Sequence, residues 1–288
     1  MATKYKRIPF QDLDPTKWEG WTIDKPEVVG EAAFFIPKLY KAPRYNVLTR
    51  HTDVPGVPYR FYIIQDAHTQ KDFTAPSATS VITPNSDISY GLKKWADTIG
   101  QEYADIIGGF APYLGDVYHR SVEWVIDGKV PKEQAMLHVA YPWLSDIMYV
   151  IGVELPVVSR RFGVCGTLDL VYVNWSGEVV LVDNKTLHKR FAKKDEEGAL
   201  SHTLDRTMEG QSAKLTKYRK QSIIYDFGLE ETYGIRVHKH KLWVMNTATF
   251  QRETVDLFPT KAGYTRSITA VENCRQQFVE MYGHQQSS

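Results

Sequence analysis

Two aspartates and a lysine stand where buried strands should carry apolar side chains. They lie in "GTLDLVYVNWSGEVVLVDNKT", residues 166–186, which alternates and turns like a β-hairpin. Asp169 interrupts "GTLDLVYV", and Asp183 and Lys185 close "VVLVDNKT". Hairpin strands can set such residues side by side. Two carboxylates at one point repel, and one tends to take up a proton. A divalent cation removes the repulsion, and hard oxygen ligands suit magnesium or manganese. Lys185 follows Asp183 by two residues, so both side chains share a strand face. An ammonium there can orient a water or stabilise the charge developing on a phosphoryl group. Two other readings are open. The three residues could be polar positions on an outward strand face, or the acids could be the carboxylate pair of a glycoside hydrolase. The second leaves Lys185 without a role.

Further residues of the same chemical kinds occur in order along the chain. His119 and Glu123 are four apart in "YHRSVEW", on one helix face. Glu154 interrupts the apolar run "IGVELPVV", and Gln221 and Tyr225 lie one turn apart in "RKQSIIYDF". Taken singly, each has an ordinary explanation: a satisfied core histidine, a solvated helix charge, half-buried packing.

The elements that must position these residues are readable from periodicity. Residues 1–58 lack it and read as an irregular extension packed on the core, with 59–288 as the main domain. Residues 59–82 read as a hairpin turning at "DAHTQKD". A helix capped by Ser86 or Asp87 should run to Ile106 and stop at Gly108–Gly109. A second should start near Pro112 or Gly115 and carry His119, and a third should cover 130–147. A strand holds Glu154, and the hairpin follows. Segment 187–210 is charge-dense and poor in apolar residues, so a mobile loop is expected there. A helix with Gln221 and Tyr225, a strand "HKLWVMNTAT" and a closing helix complete an α/β fold, a central mixed sheet flanked by helices.

The set "LGDVYHRSVEW", "GVELPVVSRRFGVCGTLDLV", "VVLVDNKT" and "YRKQSIIYDFGL" resembles the PD-(D/E)xK nuclease superfamily. It is most similar to the RecB-like exonuclease branch, to which phage exonucleases and the mitochondrial genome maintenance exonuclease belong. That branch carries a G-x-x-x-H helix, an isolated Glu, a G-x-x-D strand, a D/E-x-K strand and a Q-x-x-x-Y helix. Here these are Gly115 to His119, Glu154, Gly166 to Asp169, Asp183 to Lys185, and Gln221 to Tyr225. "APSATSVI", with Ser77, and "GLKKWADTIG", with Trp95, are similar to the segment ahead of the histidine in such exonucleases. The likeness spans about residues 59–250. It implies a restriction-endonuclease-like core and a metal-dependent DNA exonuclease acting in replication, recombination, repair or phage DNA processing. An endonuclease of the same superfamily and a catalytically silent DNA-binding scaffold are the alternatives. By the same resemblance, Asp169, Asp183, His119 and a carbonyl at Asn184 would bind one or two Mg2+ or Mn2+ ions. Glu154 would hold a second ion or its water, and Lys185 would activate or orient the attacking water. Gln221 and Tyr225 would brace the site or touch DNA, and Ser77 joins them. Basic runs at 188–194, at 214–220 (with Lys217, Tyr218 and Arg219) and at 236–241 could meet phosphates. Tyr218 and Trp95 could stack on bases.

Bulk properties narrow the partners. The 288-residue chain is 43% hydrophobic, with no apolar run long enough for a transmembrane helix, so no membrane partner is expected. Its net charge of +1 speaks against passive coating of DNA but fits an acidic metal site in a basic groove. Cys165 and Cys274 are the two cysteines, which excludes a four-cysteine iron–sulfur cluster. The opening residues lack the apolar core of a secretory signal and the Arg-rich amphipathic stretch of a transit peptide, so a bacterial or phage-infected cytoplasm is the expected location rather than the mitochondrion.

Overall fold

The computed structural model describes residues 20–24, 36–52, 54–55, 57–83, 90–127, 143–187, 193–194, 200–201, 212–247 and 250–283. Seven strands form the main sheet: β1 (Thr22–Asp24), β2 (Lys38–Tyr40), β6 (Ile147–Ser159), β7 (Val164–Asn174), β8 (Val179–Leu187), β11 (Lys239–Asn246) and β12 (Arg252–Asp256), in that spatial order. The sheet is mixed. β6, β7 and β8 are antiparallel neighbours, whereas β2 runs parallel to β6 and β8 parallel to β11. Parallel neighbours need a crossover, and helix α4 (Ser212–Tyr233) lies in the one between β8 and β11. A second sheet, antiparallel, holds β3 (Tyr45–His51), β4 (Phe61–Asp66) and β5 (Asp72–Pro76).

Both faces of the central strands are covered, which is why "VVLV" of β8 is apolar without alternation. On one face α3 (Gln101–Ile126) packs Tyr118, Val122, Val125 and Ile126 on Val150, Leu170, Val180 and Val182. On the other, α4 and the last helix, α5 (Lys261–Tyr282), cover Val157, Val171, Val179 and Leu181. Each such side chain contributes roughly 1.5–3 kcal/mol by leaving water. The short helix α1 (Ala78–Ile82) joins that second core through Ala78, Val81 and Ile82. The sheets meet where Ser77 bridges Cys165, and Cys165 and Val158 pack with Tyr45, Tyr62 and Ile64.

Four findings differ from the sequence reading or extend it. Residues 1–58 show no periodicity, yet β1, β2 and β3 are built from them: β1 and β2 edge the main sheet, and β3 pairs with β4 across residue 58. Strands of three residues are too short to show a period. The helix break falls at Gly100, between α2 (Tyr90–Ile99) and α3, and not at Gly108–Gly109. α3 continues through both glycines and Pro112 because its later half is anchored in the core, which outweighs local propensity. The helix expected at 130–147 lies largely outside the described residues, and Ile147 already begins β6. Within 187–210, Leu187 ends β8 and β9 (Lys193–Lys194) pairs with β10 (Leu200–Ser201); the rest of the expected mobile loop lies outside the described residues.

Gly100 has φ 87° and ψ 141°, and a Cβ there would meet nothing within 4 Å. The cost of a side chain is therefore backbone strain alone. Gly100→Ala should lower stability by about 1–3 kcal/mol, read as a lower denaturant midpoint at unchanged slope. An unchanged midpoint would mean that the α2–α3 junction does not need this conformation.

Candidate functional site

Three adjacent strands bring three carboxylates into one row. β6 and β7 pair Val153 with Leu170 and Leu155 with Leu168, which sets Glu154 across from Asp169. Glu154 has φ 49°, a left-handed conformation that costs a non-glycine residue about 1–2 kcal/mol. Such outliers persist where their surroundings over-determine them, and they cluster at functional sites. β7 and β8 pair as far as Leu170–Val182 and then part, which sets Asp169 across from Asp183. Where the ladder ends, the Asn184 N–H donates to Asp169 Oδ2 at 2.6 Å. The carboxylate thus satisfies a backbone donor that the fork would otherwise strand.

His119 reaches this row from α3. Its Nδ1 lies 3.7 Å from Glu154 Oε1 and 3.8 Å from Asp169 Oδ2. The next residue back, Tyr118, is fully buried, so the helix is fixed with His119 turned outward. Burial disfavours the imidazolium, but Glu154 and Asp169 outweigh it and hold the His119 pKa above its ordinary value. Ligand atoms of His119, Glu154 and Asp169 all lie within 4.8 Å of one another, close enough to share one cation.

Asp183 is 2% exposed and stands beside that group. Its Oδ1 accepts a 2.7 Å hydrogen bond from Lys185 Nζ, and its Oδ2 is buried without a hydrogen-bond partner. Lys185 Nζ also donates to Asn184 O at 3.0 Å and lies 3.7 Å from Asp169 Oδ2. The carbonyl expected as a metal ligand is thus engaged by the lysine. Burial pushes the Asp183 carboxyl up to about 7, against the pull of Lys185 and with the repulsion of Asp169. Burial disfavours the Lys185 ammonium too, but Asp183 and Asp169 more than compensate, and its pKa lies above the ordinary lysine value.

α4 closes the site. Gln221 Nε2 donates to Tyr225 Oη at 2.9 Å, and both side chains are buried. The Tyr225 ring lies on Gly166, where a Cβ would come within 2.4 Å of Tyr225 Cε1. Glycine at 166 is therefore a packing requirement of the tyrosine. Tyr218 places its ring 5.6 Å from Lys185 Nζ, a cation–π contact, and packs on Leu187, Val244 and Leu257. Lys217 is exposed. Arg219 is committed elsewhere, its Nε donating to Leu257 O at 2.8 Å. Ser77 accepts from Ser80 N as the cap of α1 and lines the cleft. Trp95 lies on α2, but its side chain is outside the described residues. The basic run 236–241 is not grouped at the site: Arg236 pairs with Glu230, Lys239 with Glu178, His240 with Asp226 and Lys241 with Asp146.

His119, Glu154, Asp169 and Tyr225 line a cleft of about 620 Å³. Sequence reading missed Arg50, Arg60, Tyr62 and Arg120, which line it too. Arg50 and Tyr62 are cross-strand partners on β3 and β4. The signal was weak, because β3 lies in the stretch without periodicity.

One pH dependence follows. A carboxyl whose folded pKa exceeds its unfolded value contributes stability below the unfolded pKa and loses it as pH rises through the folded one. Without metal, the wild type should lose stability relative to Asp183→Asn between about pH 4, the unfolded value, and about pH 7, the folded one. Thermal midpoints of both proteins in EDTA across that window test this. A constant difference would mean that Asp183 is ionised throughout.

Comparison with known proteins adds little to this geometry. No protein-family model matches the chain, and no curated protein matches it. A solved structure described as "Crystal structure of SSO0001" is similar at a TM-score of 0.31 and 12% identity, over 68% of this chain and 74% of that one. A likeness of that size carries no inference about activity.

Proposed function

We propose that the protein is a metal-dependent DNA exonuclease with a restriction-endonuclease-like core. The observation that carries this reading is the row Glu154, Asp169, Asp183 and Lys185 across β6, β7 and β8, with His119 facing it from α3. These are the residues that the resemblance to RecB-like exonucleases nominates; although they are scattered from 119 to 185 in sequence, His119, Glu154 and Asp169 line one cleft, and Asp183 and Lys185 adjoin Asp169 behind it.

The residues present fit a hard divalent cation. The donor set is carboxylate oxygen and imidazole nitrogen, with no thiolate. The unpartnered Oδ2 of Asp183 is a further oxygen left unsatisfied in the protein alone. Asp169, Glu154 and His119 would hold the ion, with Asp183 beside them. A divalent ion in such a site supplies Lewis-acid polarisation of a phosphoryl oxygen and a more acidic water.

The protein's own groups do the rest. Lys185 stays an ammonium at neutral pH, so it orients a water and offsets developing negative charge rather than removing a proton. Asp183 and the Asn184 carbonyl fix the direction of that ammonium. The Tyr218 ring lies against it, and Tyr225, held by Gln221, walls the cleft.

Nuclease activity should therefore require magnesium or manganese and vanish on chelation. Degradation should start at DNA ends and spare closed circles. Lys185→Ala and Asp183→Asn should each slow single-turnover cleavage by roughly 100-fold or more, about 2.7 kcal/mol of barrier. DNA affinity in calcium should change only a few-fold for Lys185→Ala, since one contact is a small part of an electrostatic footprint. Wild-type cleavage by folded Lys185→Ala would refute the role given to Lys185. Full activity in EDTA would refute the metal, and rapid linearisation of supercoiled plasmid would favour an endonuclease.

A further inference from the structure

The cleft has two walls of opposite sign. Glu154 and Asp169 stand on the main sheet, and the smaller sheet faces the cleft with Arg50 and Arg60. Neither arginine is paired with a carboxylate among the described residues. Uncompensated guanidinium groups beside a carboxylate site are expected to bind an anion rather than to hold the fold together.

Both groups are held in place. The Arg60 backbone N–H donates to Ser80 Oγ, and its carbonyl accepts from Ser77 N. Its guanidinium donates to Thr79 Oγ1, which is 3.1 Å from Ser77 Oγ. Arg60 thus ends in a hydroxyl-lined corner with further N–H donors to spare. Arg50 lies over the ring of its cross-strand partner Tyr62, 6.0 Å from the centroid. That contact orients the planar group without neutralising its charge.

A cleft of about 620 Å³ is of the size that takes a drug-sized group, such as one nucleotide. We propose that the wall formed by β3 and β4 is a phosphate subsite, in which Arg50 and Arg60 hold a backbone phosphate of a single nucleic-acid strand next to the phosphate that is cleaved. This assignment rests on the nuclease reading of the same cleft. It gives the smaller sheet a function in strand recognition, separate from the carboxylate row.

The test compares wild type with Arg50→Gln and Arg60→Gln. Arg50 is exposed and stacks on one ring, so its substitution leaves the fold intact even if Arg60→Gln loosens the α1 corner. Binding of a short single-stranded oligodeoxynucleotide is measured in calcium over a salt series, beside single-turnover cleavage in magnesium. Each substitution should weaken binding about five- to ten-fold and reduce the slope of log affinity against log salt by about 0.7, the value for one phosphate contact on a single strand. The cleavage rate at saturating oligonucleotide should stay within about three-fold, because the contact binds ground state and transition state alike. An oligonucleotide with a neutral methylphosphonate beside the scissile position should bind wild type as weakly as the normal one binds Arg50→Gln, and should lose little more on the variant. The ribose form of the same sequence should respond in the same way, since the contact is to phosphate. If wild type cleaves while the Arg50→Gln variant keeps wild-type affinity and salt slope, the subsite is wrong and the nuclease reading stands. If wild type neither binds nor cleaves nucleic acid, both fail.

Discussion

The carboxylate of Asp169 receives an amide, an ammonium and an imidazole at the point where β7 and β8 part, and the rest of the site is arranged around it. The Asn184 N–H is 2.6 Å away, Lys185 Nζ 3.7 Å and His119 Nδ1 3.8 Å. Each comes from a different constraint: the amide from the strand fork, the ammonium from the same-face spacing on β8, the imidazole from the anchoring of α3 by Tyr118. An isolated carboxylate at this depth would be neutralised or expelled. With these partners it stays, and it holds the fork, the helix and the lysine in one geometry. The apolar layers on the two faces of the sheet make that geometry rigid, because neither α3 nor α4 can turn without exposing core side chains.

Strain and unmet hydrogen bonding gather at the same place. Glu154 is one of three non-glycine residues with positive φ among the described residues, and it lies in the carboxylate row. The Asp183 Oδ2, Asn184 Oδ1 and Tyr118 hydroxyl are buried without hydrogen-bond partners, on or beside that row. Such orphans are rare in a finished core. A fold that tolerates several of them next to a cleft keeps them for a ligand or for bound water.

The Tyr45 hydroxyl and Asp66 Oδ2 on the second sheet also lack hydrogen-bond partners, whereas the polar groups between α4, β11 and α5 are paired. His240 lies between Ser222 Oγ, 2.8 Å from its Nδ1, and Asp226 Oδ2, 3.3 Å from its Nε2. Tyr264 donates to the same Asp226 oxygen at 2.6 Å. The three elements joined there are α4, β11 and α5, so this buried network fixes the helix that carries Gln221 and Tyr225. In the basic run 236–241, Lys239, His240 and Lys241 are each paired with a carboxylate.

Residue type and order alone placed Asp169, Asp183 and Lys185 on a hairpin, because a period of two and a turn are local properties of the chain. The α/β class, the helix carrying Gln221 and Tyr225, and the hairpin within 59–82 were legible for the same reason, although that hairpin ends at Pro76 and Ala78–Ile82 form α1 rather than strand. Whether those charges form one site was not, because it depends on how three strands register and where their ladder stops. The fork at Leu170–Val182, the left-handed turn of Glu154 and the tie of Asn184 to Asp169 are tertiary facts with no local signal. The same holds for α3, whose glycines and proline read as a stop until a packed core outweighs them. Arg50 and Arg60 were invisible for a different reason. They come from a sheet whose first strand has no readable period, and only the docking of that sheet beside Ser77 and Cys165 turns them toward the carboxylates.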